Sequence, residues 1–392
     1  MSVLLEPELL ERIIACRRAL HRHPELSWQE TRTGELISAT LERLGIAHRR
    51  GVARTGIVAD LPGPAGVPIV ALRADMDALP VQEETGLEFA SQVPGLMHAC
   101  GHDGHTSMLL GAAELLARDT QRPAPVRLIF QPAEELGAGA ETMVQEGVLD
   151  GVGMIFGGHV DRHYPTGVIA ISDGVVNAST DSFRIDITGK GGHAARPHEC
   201  VDAVLVGSLL VTALQTIVSR EVDPASPSVV TVGRFQAGTA SNVIAEQARL
   251  EGTIRAQDAV VRSHLKTSLA RMGQAIGQLH TAEIKVSFVD STPALINEPE
   301  SASLARLAAG RVVGADSVCT LRIANMGGED FAYFVEKVPG CYVRFGSQFA
   351  GRENFPAHSS RFDFDEQVLG VGARYYHTVA HVAGDYLQQQ RR

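Results

Sequence analysis

The octapeptide His98-Ala99-Cys100-Gly101-His102-Asp103-Gly104-His105 places potential metal ligands of three chemical kinds close together: Cys100, His102, Asp103 and His105. A thiolate and neutral imidazoles suit zinc and its neighbours in the first transition row. Elsewhere, Glu134 and Glu135 are adjacent carboxylates, so one can bind metal while the other stays free to move protons. His159, His358, Asp75 and Asp77 complete the list of candidates. Each has a bland alternative. Cys100 could be a small buried residue among helix-capping groups, and the two glutamates could complement a helix dipole. The two histidines could be a core residue and a loop residue, and the two aspartates could cap a turn. The case for metal rests on where these residues fall along the chain.

The elements that must position them read as an α/β sheet. Residues 67–73 are a nearly all-apolar run, as expected of a strand buried on both faces. The run ends in the polar stretch Arg73-Ala74-Asp75-Met76-Asp77. Residues 126–131 form a second such strand, followed by Pro132-Ala133-Glu134-Glu135 and a helix opening at Gly137. Residues 154–158 form a third, ending in His159. The octapeptide lies between a turn at Val93-Pro94-Gly95 and a helix over 106–116, a junction where chemistry is usually mounted. Helices over 6–21 and 29–44 and a strand over 56–61 precede these. Open α/β sheets place their sites at strand ends, so Asp75, Glu134, Glu135 and His159 are expected to face the Cys100 loop.

Residues 178–290 have a different character. Strands over 183–188, 228–235, 245–255 and 283–289 and helices over 200–220 and 258–278 give the order β-α-β-β-α-β. That is the split βαβ pattern of a small α+β domain. It reads as an insertion into a catalytic domain made of residues 1–177 and 291–392. The latter part resumes with helices over 299–313 and 328–336, a strand over 341–345 and a helix over 364–387.

The whole chain sets limits. It has 392 residues, 44% apolar and 20% charged, enough for two ordinary globular domains. The net charge of −10 argues against a nucleic-acid partner. No apolar run approaches the ~20 residues that span a bilayer, so no membrane partner is expected. Residues 1–6 lack the features of a secretory leader, and a cytoplasmic location is the default. The five cysteines are odd in number and widely spaced, unlike a disulfide framework.

Taken in order, the motifs carry a resemblance. They are Leu20-His21-Arg22-His23-Pro24-Glu25-Leu26-Ser27, Arg73-Ala74-Asp75-Met76-Asp77-Ala78-Leu79-Pro80, the octapeptide, Gln131-Pro132-Ala133-Glu134-Glu135, Gly189-Lys190-Gly191-Gly192-His193-Ala194 and Met326-Gly327-Gly328-Glu329-Asp330-Phe331. The chain resembles the aminoacylase-like metallopeptidases of family M20. The likeness is to the amidohydrolase branch, with its hippurate hydrolases, N-acyl-amino-acid amidohydrolases and auxin-conjugate hydrolases. The resemblance implies one or two divalent transition-metal ions (zinc, manganese, cobalt or nickel) held by Cys100, His102, Glu135, His159 and His358. It implies Glu134 as general base. Arg73 stands where the wider family has a metal-binding His, so Arg73 cannot ligate and Cys100 could bridge two ions. Gly158 stands where the branch usually carries a larger residue. Asp75 is expected to orient a ligand, and Asp77 to serve the turn before Pro80.

The inserted domain is expected to pair into a homodimer. Its His193 would stabilise an oxyanion, in trans on the partner's site, with Asn242 and Arg255 as substrate contacts. The activity implied is metal-dependent hydrolysis of the amide bond of N-acyl amino acids. An exopeptidase on short peptides is the alternative within the same chemistry. A catalytically silent binding protein is the alternative outside it, and the spare carboxylate at Glu134 argues against that.

Overall fold

The computed structural model describes residues 5–390; residues 1–4, on which part of the leader reading falls, lie outside them. The chain forms two compact units. One holds the chain up to Val176, then Ile296–Ile323 and everything from Asp330; the other is Asn177–Leu295 with Ala324–Glu329.

The first unit is built on an eight-stranded mixed sheet. In spatial order its strands are Ala47–Val52, Gly56–Leu61, Val126–Gln131, Ile69–Asp75, Val152–Pro165, Gly340–Gln348, Ile169–Ala170 and Val318–Cys319. The four central strands run parallel. All residues of Val126–Gln131 are buried, which is what its unbroken run of mostly apolar residues requires. Registers in the parallel pairs set Asp75 beside Gln131 and His159 beside Arg344. The helices His102–Arg118 and Gln367–Gln389 pack against each other and against the strand Ile69–Asp75.

Three expectations change here. The third strand does not end at His159 but runs on as Val152–Pro165, so His159 is held mid-strand. A helix over 328–336 shrinks to the single turn Ala332–Val335. The Asp330 carboxylate before it is instead engaged by Gln131 Nε2 and the Ala140 N–H. The edge strand Ala47–Val52 escapes sequence reading because His48-Arg49-Arg50 breaks any apolar alternation, as charges on edge strands do.

In the second unit the strands Ser228–Ala237, Gln247–Ala256, Ser179–Thr188 and Glu283–Thr292 form an antiparallel sheet in that spatial order. Two helices, Ala203–Glu221 and Ala259–His280, pack against it. Each starts on an aspartate whose carboxylate accepts two backbone N–H groups, Asp202 and Asp258. The element order is β-α-β-β-α-β. The helix Ala203–Glu221 corrects the reading that no apolar run approaches a bilayer span: it is long and apolar enough by length and composition. Its Val206, Leu210, Leu214 and Ile217 face the unit's own core, the i, i+4, i+8, i+11 stripe of a sheet-packing helix.

Candidate metal centre

The helix His102–Arg118 begins directly on the ligand-bearing loop. Gly101 precedes it with φ 97°, and a Cβ there would lie 2.6 Å from Val160 Cγ2. Only glycine meets both demands, the left-handed backbone and the close approach to the neighbouring strand.

Of the four potential ligands in the octapeptide, two offer a ligand atom to a common centre and two are engaged by other partners. Asp103 is buried against Arg17 Nε at 3.2 Å and His21 Nδ1 at 2.9 Å. Arg17 also pairs with Asp363 and stacks over the Phe364 ring. His105 donates from Nδ1 to Asp75 Oδ1 at 2.6 Å and accepts the Val160 N–H on Nε2 at 3.0 Å. Both of its ring nitrogens are therefore taken. Asp103 and His105 fasten the loop from beneath.

Cys100 and His102 meet residues from three other segments. Cys100 Sγ lies 3.3 Å from His159 Nε2. His102 Nε2 lies 3.9 Å from Glu134 Oε2 and from Glu135 Oε1. His358 Nε2 lies 3.5 Å from Glu135 Oε1. Two groups share Cys100, one with His102 and His159 and one with Glu135 and His358, and a third joins His102 to Glu134 and Glu135; within each, the ligand atoms lie within 4.8 Å of one another. Donors about 3.3 Å apart are what tetrahedral coordination at 2.0–2.1 Å produces. Cys100 belongs to the first two groups, the position a bridging thiolate would take.

The donor set fits a divalent ion on further grounds. His102 Nε2 and Glu135 Oε1 are buried without a hydrogen-bond partner, an arrangement that costs free energy unless something fills it. Burial, with the Glu135 carboxylate nearby, pushes the Cys100 thiol well up. Burial drives the His159 pKa well down, with the charges of His105 and Arg344 adding to it. The histidine is therefore ready as a neutral ligand, while the thiol needs a cation to ionise.

Asp77 makes the contacts that were expected of Asp75. Asp77, read as a turn residue, accepts His102 Nδ1 at 3.2 Å, the Ser27 hydroxyl at 2.6 Å, and the backbone N–H groups of Glu134 and Glu135 at 3.1 Å each. A single buried carboxylate thus orients an imidazole and both glutamates. Asp75 instead holds His105 and Arg73, at 2.6 and 2.7 Å. It approaches His102 Nε2 only to 3.9 Å. Arg73 is buried and bridges Asp75, Gln131 and Asp330, so it braces the strand ends and reaches no ligand position. Sequence reasoning missed Ser27, Glu30 and Asp330 as supports. Glu30 holds the Ala133 N–H just before the two glutamates. Ser27 and Asp330 lie in motifs already singled out, but nothing in those motifs said which buried groups they would meet.

Gly158, where a larger residue was expected, is explained by its neighbour: a Cβ there would lie 2.6 Å from Phe345 Cε2.

His193, Asn242 and Arg255 all belong to the second unit. His193 and Asn242 are exposed on the ribbon where Gly192–His193 pairs with Val243–Ile244. Arg255 is half-buried near the end of Gln247–Ala256. None of the three belongs to the centre formed by the first unit's own residues.

A family model described as peptidase family M20/M25/M40 matches residues 71–381. Thermostable carboxypeptidase 1 of Saccharolobus solfataricus is 40% identical over 93% of this chain and 94% of its own. N-acetylcysteine deacetylase of Bacillus subtilis is 40% identical over 94% of this chain and 96% of its own. Among solved structures, a Bacillus subtilis protein described as a dinuclear metal binding peptidase superposes with a TM-score of 0.84 at 36% identity, covering 96% of this chain and 99% of that one.

Proposed function

Because the chain belongs to peptidase family M20/M25/M40 and is a metal-dependent hydrolase of amide bonds, we propose that its substrates are N-acyl amino acids. The relative described as N-acetylcysteine deacetylase supports that substrate class, and the pair of ligand groups that share Cys100, with the Glu134 carboxylate beside them at His102, supports the chemistry. Cys100, His102, Glu135, His159 and His358 would hold the metal. When bound there, it supplies Lewis acidity toward the amide carbonyl and makes a water a nucleophile near neutral pH.

The residues do the rest. Glu134 takes a proton from the attacking water, then returns it to the amine as the C–N bond breaks. The products are a carboxylic acid and a free amino acid. Asp77 keeps His102 and the Glu134-Glu135 backbone in one register, so base and ligands stay aligned.

Turnover of hippurate and N-acetyl amino acids, set against free dipeptides, tests the substrate class. Preference for the acylated substrates by an order of magnitude or more in kcat/KM is the expected result. A preference for free dipeptides would move the assignment to an exopeptidase, the reading that the carboxypeptidase relative favours.

We also propose a homodimer through the second unit, with His193 serving the partner's site and Asn242 and Arg255 contacting substrate. Two observations support it. The outer side of Ala203–Glu221 exposes Val204, Leu205 and Leu209, with Phe235 exposed nearby against Gly207, a patch that monomers seldom leave bare. The Ala195 N–H donates to His193 Nδ1 at 3.0 Å, which leaves the ring proton on Nε2, the form that can donate to an oxyanion. Mixing inactive Glu134→Ala and His193→Ala subunits tests the arrangement. In a mixed dimer one site then has both residues intact and activity returns. Proven exchange without recovery would rule out action in trans.

A further inference from the structure

The helix His102–Arg118 carries potential ligands at both ends. Its C-cap is Asp119, and beside it on the helix Gln367–Gln389 stand His377 and His381, one turn apart on one face. We propose that Asp119, His377 and His381 form a second divalent-metal site, separate from the catalytic centre and taking a borderline first-row ion such as zinc.

The geometry carries this. His381 Nε2 lies 2.6 Å and His377 Nε2 lies 3.8 Å from the same oxygen, Asp119 Oδ2. All three ligand atoms lie within 4.8 Å of one another. These separations bracket the spacing of about 3.3 Å that tetrahedral zinc imposes on its ligands. The two imidazole rings are 4.8 Å apart, so small side-chain rotations bring the set to coordination distance. The other carboxylate oxygen, Asp119 Oδ1, is fixed by the Gln121 N–H at 2.8 Å, which turns Oδ2 toward the histidines. The Arg122 guanidinium is spent on the backbone carbonyls of Leu116 and Asp119 that end the helix.

Burial argues in the same direction. His377 is only 9% exposed, and its Nδ1 is buried without a hydrogen-bond partner. His381 Nε2, the atom that meets Asp119 Oδ2, is buried too and makes no hydrogen bond of good geometry, as a ligand atom awaiting an ion would. Side-chain exposures of 24% for Asp119 and 25% for His381 leave a route in and room for water to complete the coordination. Two imidazoles and one carboxylate favour zinc, cobalt or nickel over magnesium or calcium, which prefer all-oxygen sets.

The site is far from the catalytic centre. The helix between them has 17 residues, and at 1.5 Å per residue it separates the two by about 25 Å. An ion there would tie the end of the helix that starts at His102 to the last helix of the chain. It would add stability by mass action without touching the reacting atoms.

The test uses the enzyme with its catalytic ions in place, titrated with zinc. Bound metal is counted by equilibrium dialysis and the thermal midpoint is followed as zinc rises. The expected result is one further equivalent per chain with a zinc-dependent rise in Tm, both lost in His381→Gln and in Asp119→Asn. Amide-hydrolysis kcat should be unchanged in those variants. His377→Gln removes a buried ring and could weaken the fold itself, so the zinc-dependent shift is read rather than the absolute Tm. Wild-type enzyme that takes up no further equivalent would overturn the proposal. So would an extra equivalent that survives unchanged in His381→Gln and Asp119→Asn.

Discussion

His102, His105 and His159 of the first unit and His193 of the second are held in opposite ways, while His358, the remaining proposed histidine ligand, is itself exposed. In the first, His102, His105 and His159 are largely or wholly withdrawn from solvent, and each Nδ1 meets a fixed acceptor: Asp77 Oδ1, Asp75 Oδ1 and the Val160 carbonyl. Ring plane and tautomer are set before anything binds, and the ordering cost is met during folding. In the second, His193 is exposed on a two-stranded ribbon, and its Nδ1 is met only by the N–H of its own turn. Nothing buried constrains it. The first arrangement suits groups that must hold an ion at defined distances. The second suits a group that meets its target from outside and can leave again.

The contrast can be broken by substitution, starting where the effect is largest. Glu134→Gln should keep fold and metal content but lose roughly 10²–10⁴-fold in kcat, because one carboxylate serves both proton transfers. Wild-type turnover in that variant would place the base elsewhere. His193→Ala should cost about 10²–10³-fold in kcat, the value of one oxyanion donor, with no change in bound metal or Tm. Metal loss on His193→Ala would erase the distinction between the units.

Asp77→Asn should weaken metal binding by about 10–100-fold, measured by competition with a chelator, because His102 loses its fixed acceptor. Asp75→Asn should affect metal affinity less and stability more, since it leaves the Arg73 guanidinium short of a buried partner. The reverse ranking would restore the roles first read for the two aspartates.

The last effect, on stability rather than on turnover or metal, concerns the support beneath the loop. Burial by itself would lower the His21 pKa, but the Asp103 and Glu83 carboxylates outweigh it and hold it up at about 9. A group whose folded pKa is raised stabilises most when charged in the folded state. Its contribution is complete below about pH 6.5, the ordinary value, and is lost as pH rises through the folded one. Urea unfolding between about pH 6.5 and pH 9.5 should show stability falling by up to about 3 kcal/mol, and His21→Gln should flatten that part of the profile. An unchanged slope in His21→Gln would show that Asp103 is held by Arg17 without help from His21.

Much of this protein was legible in order along the chain. Unbroken apolar runs marked the buried parallel strands, and polar residues at their ends marked the functional edge. The β-α-β-β-α-β order of the second unit followed from its alternation and its helix periods. The candidate ligand types, with Cys100 and His102 in one loop and Glu134 beside Glu135, were visible because a metal centre needs particular side-chain chemistry. Direction was not. Asp103 and His105 have the same letters as ligands, yet the helix turns Asp103 about 100° away from His102, while His105, one turn on and on the same face as His102, has both ring nitrogens taken by Asp75 and the Val160 N–H. Which of them could offer a ligand atom to the centre depended on Arg17, His21 and Asp75, brought from other segments. That Asp77 makes the contacts expected of Asp75 has the same cause, since a carboxylate's role is set by the donors that reach it. The site formed by Asp119, His377 and His381 joins residues more than 250 positions apart, and only the packing of the helix His102–Arg118 against Gln367–Gln389 brings them together.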